Sequence, residues 1–108
     1  NYYQGPIVTN GLVFAVDAGN LVSFENGTTT AHSLTGSIDG TLTNGVAFNS
    51  GNGGTWDFDG VDDRITLGYQ STMVTLDITQ EAWVNADNFV NWHGIISNMS
   101  GWGTGFIL

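Results

Sequence analysis

The sequence predicts an all-β protein, an antiparallel β-sandwich, and three observations support that prediction. Turn-forming glycine motifs recur at short intervals. Between them lie short runs rich in valine, isoleucine, threonine, phenylalanine and tryptophan, and strands punctuated about every 8–12 residues are typical of sandwiches and barrels. No segment of helical length has an apolar period of about 3.6 residues, and residues 21–24 and 61–64 could form one helical turn at most. The turn signals are Asn10-Gly11, Asn26-Gly27, Asp39-Gly40, Asn44-Gly45, Gly51-Asn52-Gly53-Gly54 and Asp59-Gly60.

Eight strands follow from this pattern, and the clearest two flank Gly60. Trp56 and Phe58 alternate with aspartates before it, and Ile65 and Leu67 resume the apolar alternation after it, which is the period of two expected of half-buried strands. The predicted strands are residues 12–16, 40–42, 47–49, 55–59, 64–67, 78–85, 94–98 and 104–108. The predicted core side chains are Phe14, Trp56, Phe58, Ile65, Leu67, Ile78, Val84, Ile95, Phe106 and Leu108.

Length and charge limit the classes of protein that the chain can belong to. With 108 residues it is expected to form a single domain, residues 1–108. Ten acidic residues against one basic residue give a net charge of −9, which repels phosphate, so nucleic acid is not expected as a partner. No run reaches the roughly 18 apolar residues of a bilayer span, so no membrane insertion is expected. The chain has no cysteine, so it has no disulfide framework.

Four aspartates crowd the turn around Gly60, and two interpretations of them stay open. Asp59, Asp62 and Asp63 offer hard oxygen ligands, so the turn is a candidate calcium site. Alternatively, it is a solvated turn in which Asp59 and Asp62 accept hydrogen bonds from backbone N–H groups. The spacing does not match the EF-hand loop. Calcium is the one cofactor that the sequence suggests.

Three segments together resemble a known family. They are residues 11–20, residues 39–45 continuing to the block at 58–63, and residues 78–85 followed by 94–98. In this order and spacing they are similar to the LamG-like, concanavalin A-like lectin-glucanase jelly-roll family found in phage and bacterial surface proteins. Residues 31–38 and Arg64 depart from the family pattern. The family's later strands would follow Leu108, so we expect that the jelly roll is incomplete in this chain.

The resemblance implies a protein that is not an enzyme. Glycosidases of this architecture carry paired carboxylates with Glu-x-Asp-x-x-Glu spacing, whereas the only glutamates here, Glu25 and Glu81, have no acid at the required interval. The favoured function is a structural appendage or decoration protein on a phage virion surface, contacting other virion subunits within a homo-oligomer or larger assembly. The alternative is a carbohydrate-binding module of a secreted or cell-surface protein, with surface glycans as ligands.

The aromatic and imidazole side chains supply the remaining candidates. Trp92 and Trp102 lie in loop-like contexts, where an exposed ring could stack on a sugar, although packing over one end of the sandwich is the competing interpretation. Trp56 and Trp83 are expected in strands and in the core. His32 and His93 lack neighbours at metal-ligand spacing and are expected to be ordinary loop residues.

Overall fold

Five short strands and one 3-10 helix form the regular structure of the residues that the structure describes. The structure, a computed structural model, describes residues 9–68, 70, 73, 77–88 and 94–97. This part is all-β, as predicted, and every strand pair is antiparallel. The elements in chain order are β1 (Thr30–His32), β2 (Asp39–Thr43), β3 (Ala47–Asn49), the 3-10 helix (Gly51–Gly53), β4 (Thr55–Asp57) and β5 (Arg64–Thr66).

The chain divides into two units, and all five strands lie in the first. The first unit is Asn1–Gln70 and the second is Ser71–Leu108. In the second unit, the described residues form no strand beyond an isolated bridge at Ser97. Among the described residues of both units, no helix has the length and apolarity that a membrane crossing requires.

The strands of the first unit belong to two sheets. The larger sheet has the order β1-β2-β5, and the smaller one pairs β3 with β4. Leu42 of β2 lies opposite Ile65 of β5, and Phe48 of β3 lies opposite Trp56 of β4. The consecutive strands β4 and β5 therefore belong to different sheets, and the chain passes from one sheet to the other between them.

The core forms around Phe24, where side chains from both sheets meet. Phe24 is 3% exposed, and its ring centroid lies 5.5 Å from that of Phe48 and 5.4 Å from that of Trp56, the latter edge-on. Ala31 and Leu42 from the larger sheet complete the buried cluster. Because both sheets contribute to one cluster, burial of its apolar side chains stabilises the two sheets together. Partly buried Val16, Val46 and Ile65 also pack against it.

Two buried serines attach the segment before Phe24 to the larger sheet. The Ser23 hydroxyl, which is fully buried, donates to the His32 carbonyl at 2.8 Å and accepts from the Asp17 amide at 2.9 Å. The Ser33 hydroxyl accepts from the Ala15 amide at 3.2 Å. Side-chain bonds therefore satisfy partly buried backbone groups that a strand ladder would otherwise satisfy.

The turn at residues 17–20 meets the loop before β4 backbone to backbone. A Cβ atom on Gly54 would lie 2.6 Å from the Cα of Gly19, and a Cβ atom on Gly19 would overlap the carbonyl oxygen of Gly53. Gly54 also has a φ of 105°, which disfavours residues with a side chain. Glycine is therefore required at both contact points.

Four of the predicted strands are confirmed and two are wrong. The predictions at 40–42, 47–49, 55–59 and 64–67 correspond to β2 to β5, although β4 ends two residues early, at Asp57. Residues 12–16 form no strand, because the backbone of Ala15 bonds the Ser33 hydroxyl and the Leu34 amide instead of a ladder. Residues 78–85 form no strand because no described residue pairs with them. Of 94–98 the structure shows the bridge at Ser97, and 104–108 lies outside the described residues.

Five predicted core residues are exposed instead. Phe58 follows the end of β4, so the alternation that buries Trp56 stops before it, and its side chain is 51% exposed. Four more lie in the second unit, where the described residues provide no sheet to cover them; they are Ile78, Trp83, Val84 and Ile95. Phe14, Trp56, Ile65 and Leu67 are partly buried, and Phe106 and Leu108 lie outside the described residues.

Candidate functional site

The acidic turn links the two sheets. It begins after β4 ends at Asp57 and finishes where β5 begins at Arg64. The sequence predicts that the chain reverses at Gly60 between two strands, but β4 and β5 do not pair with each other. A period of two shows that strands flank the turn, whereas the partner of each strand depends on distant residues. The turn is therefore a crossover between sheets and not a hairpin.

Backbone hydrogen bonds to two of the carboxylates fix the shape of this turn. The Asp59 Oδ1 atom accepts from the amides of Val61 at 2.8 Å and Asp62 at 3.3 Å. The Asp63 Oδ2 atom accepts from the Asp59 amide at 3.0 Å. An aspartate that bonds the backbone two residues ahead stabilises a local turn without any metal. Asp59 accepts backbone bonds as predicted, but Asp63 rather than Asp62 is the second acceptor.

The three carboxylates lie close together. One oxygen from each of Asp59, Asp62 and Asp63 falls within 4.8 Å of the others, so the sequence correctly placed these side chains in one cluster. The backbone hydrogen bond from Val61 holds the pKa of Asp59 below its usual value, because a donor to the carboxylate favours the charged form. Asp59 is therefore ionised near neutral pH.

Two side chains outside the cluster hold the turn through the carbonyl of Asp62. Asn44, in the connection between β2 and β3, donates to it from Nδ2 at 3.0 Å, and Arg64 donates from Nη1 at 3.3 Å. Asn44 has a φ of 68°, a conformation that asparagine tolerates better than most residues. The chain's one basic residue thus bonds a backbone carbonyl here.

The cluster has some capacity to bind a cation. The Oδ1 atom of Asp63 is shielded from solvent and has no hydrogen-bond partner. No described residue bonds the second oxygen of Asp59 or either oxygen of Asp62. Calcium takes about six to eight oxygen ligands, some of them water molecules, so these four oxygens provide part of a coordination shell. The residues suit a weak calcium site, and calcium binding stays a prediction.

The tryptophans differ from their predicted roles. Trp92 and Trp102, the predicted sugar-stacking residues, lie outside the described residues. Trp56 packs against the core as predicted, and its Nε1 atom is buried without a hydrogen-bond partner. The prediction that Trp83 lies in the core is wrong, because its side chain is 98% exposed.

The exposed apolar side chains of the second unit form a feature that sequence reasoning missed. Ile78, Trp83 and Val84 lie within a stretch of seven residues, and all three are exposed. They belong to a short run that is rich in strand-forming residues, which is why this run was predicted to be a strand with side chains in the core. Exposed apolar residues that occur together mark interaction surfaces more often than isolated ones do.

The two histidines also differ in their placement. His32 lies in β1 rather than in a loop, and its Nδ1 atom is 3.2 Å from the Oδ2 atom of Asp39, its cross-strand partner. Both side chains are more than half exposed, so the pair contributes little to stability. His93 lies outside the described residues.

Comparisons of the chain with protein-family profiles, with curated proteins and with solved structures find no match.

Proposed function

We propose that this chain is a non-enzymatic structural module of a virion surface, an appendage or decoration protein with a concanavalin A-like jelly-roll fold. The fold supports this proposal at a coarse level. Antiparallel strands form two sheets around one core cluster, and a jelly roll is built from two such sheets. The resemblance of residues 11–20, 39–63 and 78–98 to LamG-like proteins supplies the finer assignment.

The observation that carries the proposal is the exposed apolar surface of the second unit. Trp83 is 98% exposed and Val84 is 61% exposed. Leaving such side chains in water forgoes about 1.5–3 kcal/mol for each one that could be buried. A structural subunit recovers this free energy when a neighbouring subunit covers the surface. The proposed partners are therefore other virion subunits, in a homo-oligomer or a larger assembly.

The residues support a binding role rather than catalysis. Retaining glycoside hydrolysis needs two carboxyl groups about 5 Å apart, and the acidic cluster at residues 59–63 uses two of its three side chains to fix the turn. We expect no hydrolysis of a polysaccharide panel by the purified chain. Hydrolysis that disappears in the Glu81→Gln variant would contradict this expectation.

Immunogold electron microscopy tests the proposed location. Antibodies raised against the purified chain are applied to virus particles from the source of the sequence. We expect regular labelling of the particle surface, blocked by prior incubation of the antibody with the chain. Labelling confined to cell surfaces or to the medium would refute the virion role and favour the extracellular alternative.

The alternative is a carbohydrate-binding module, and the exposure of Trp83 is the observation that favours it. An exposed indole ring can stack on the apolar face of a sugar. Glycan-array binding by the chain and by its Trp83→Ala variant tests this function, with Phe58→Ala as a control for losing an exposed aromatic side chain elsewhere. Binding lost in Trp83→Ala and kept in Phe58→Ala would support the alternative.

A further inference from the structure

Residues 78–86, here named the unpaired segment, contain no helix, strand, turn or bend. No hydrogen bond joins the described residues 77–88 to any other described residue. Residues 81–88 are all exposed, and no described residue bonds their backbone N–H and C=O groups. A segment with unpaired backbone groups is a template for strand addition when it is extended, because a partner strand can then form a ladder with it.

The side chains of the unpaired segment also have the pattern of a strand. In an extended chain, successive side chains lie on opposite sides, so Ile78, Ala82 and Val84 share one side and Glu81 and Trp83 share the other. The first side is apolar apart from Gln80, and the second combines a carboxylate with an aromatic ring. Lysine and arginine interact favourably with both of these groups.

We propose that the unpaired segment is a docking strand that pairs, backbone to backbone, with an extended cationic segment of a partner protein. This inference rests on the proposed function, because it specifies the chemistry of the subunit that covers this surface. The segment contains Glu81 and is flanked by Asp77 and Asp87, and the sequence has no lysine or arginine after Arg64. Charge complementarity therefore selects a basic partner.

A second copy of the chain fits this surface poorly. Antiparallel self-pairing centred on Ala82 places Asp77 opposite Asp87 at both ends of the ladder, and like charges directly opposite each other destabilise a strand pair. Each copy also carries a net charge of −9, which opposes association. A basic segment of a different protein avoids both the like-charge contacts at the ends of the ladder and the repulsion between two acidic chains.

Three short synthetic peptides test the proposal on the full chain. The first alternates valine and lysine, the second replaces lysine with glutamate, and the third is the valine–lysine peptide with N-methyl groups on alternate amides, which cannot form a ladder. Calorimetry measures affinity, and hydrogen-exchange mass spectrometry locates protection. We expect the first peptide alone to bind and to protect residues 78–86, with affinity that falls as salt rises.

Two charge-matched double variants control for nonspecific attraction. Glu81→Gln with Asp87→Asn removes two charges at the docking strand, and Glu25→Gln with Asp57→Asn removes two exposed charges elsewhere. We expect the Glu81→Gln, Asp87→Asn double variant to bind the valine–lysine peptide about fivefold more weakly, because it loses two cross-strand charge contacts. The Glu25→Gln, Asp57→Asn double variant should bind this peptide with little change in affinity. Equal losses, protection outside residues 78–86, or equal binding of the N-methylated peptide would overturn the proposal.

The remaining outcomes separate the docking strand from the proposed function. Absence of peptide binding, together with immunogold labelling of particles, would overturn the docking strand and leave the virion role standing. Peptide binding without particle labelling would support the docking strand and refute the virion role. Protection of residues 78–86 that rises with protein concentration in the absence of peptide would identify a second copy as the occupant and overturn the cationic partner.

Discussion

The shared core around Phe24 predicts that replacing this side chain disrupts both sheets together. Phe24 is 3% exposed, and its ring contacts Phe48 of β3 and Trp56 of β4 while packing with Ala31 and Leu42 of the larger sheet. Phe24→Ala therefore leaves a cavity between the sheets, with a cost of about 3–5 kcal/mol in the free energy of unfolding. The whole free energy of unfolding of a small domain is about 5–15 kcal/mol, so this variant is expected to be marginally folded.

Phe58→Ala is the matched control for this prediction. It deletes the same atoms from a side chain that is 51% exposed and lies just beyond β4. Full burial of such a side chain contributes about 1.5–3 kcal/mol, and Phe58 is only about half buried. Phe58→Ala should therefore lower the free energy of unfolding by about 0.7–1.5 kcal/mol. Phe24→Leu adds an intermediate case, because it keeps most of the volume and loses the ring contacts, worth about 0.5–1.5 kcal/mol each.

Urea unfolding followed by circular dichroism and by tryptophan fluorescence measures these differences. We expect Phe24→Ala to lower the melting temperature by at least roughly 12 °C, since about 1 kcal/mol corresponds to 4–8 °C in a domain of this size. The two spectroscopic probes should give one transition. If Phe24→Ala and Phe58→Ala cost the same free energy, the idea of a core shared by both sheets is refuted.

Three further predictions concern local contacts. Ser23→Ala should lower the free energy of unfolding in urea by about 1–3 kcal/mol, because the partly buried Asp17 amide and His32 carbonyl lose their bonds to Ser23, whereas exposed Ser37→Ala should change little. Calcium should raise the melting temperature only at concentrations on the order of 10⁻⁴–10⁻³ M, the dissociation constants of weak sites, and it should not do so in Asp63→Asn. If calcium leaves the melting temperature of the wild-type chain unchanged, the turn is held by backbone hydrogen bonds alone and the calcium prediction is wrong. The lowered pKa of Asp59 means that its ionised form stabilises the fold above the unfolded pKa of about 3.9, and that this contribution is lost as pH falls through the folded pKa. The stability difference between wild type and Asp59→Asn should therefore shrink in acid, and a difference that persists there would contradict this.

Local pattern was sufficient to predict most of the sheet strands, but it did not predict their pairing. The alternation around Trp56 and Ile65 correctly indicated β4 and β5, whereas their membership of different sheets depends on contacts with β3 and β2. The strand β1 was missed because its inward residue is Ala31, whose small side chain is fully buried without giving a hydrophobic signal. Phe24, the centre of the core, was missed because it follows a turn rather than lying in a strand.

The candidate site could be predicted in part for the same reason. Residues 59, 62 and 63 are close in sequence, so any tight turn brings their carboxylates together. The hydrogen bond from Asn44 to the Asp62 carbonyl could not be predicted, because Asn44 lies 18 residues before Asp62 in the chain. The exposure of Trp83 could not be predicted either, since a short run of strand-forming residues shows that a segment can pair and bury side chains, but not that a partner strand is present.

The hydrogen bond that Arg64 makes in the acidic turn bears on the choice of the partner proposed above. This guanidinium is the chain's only strongly basic group, and it bonds the carbonyl of Asp62. Among the described residues, the one close contact between a carboxylate and a basic side chain is that of Asp39 with His32. The excess negative charge is therefore left for solvent cations or for a partner to neutralise. A basic partner strand at residues 78–86 would do this while covering Trp83, so a single contact would relieve both the unfavourable charge and the exposed apolar surface.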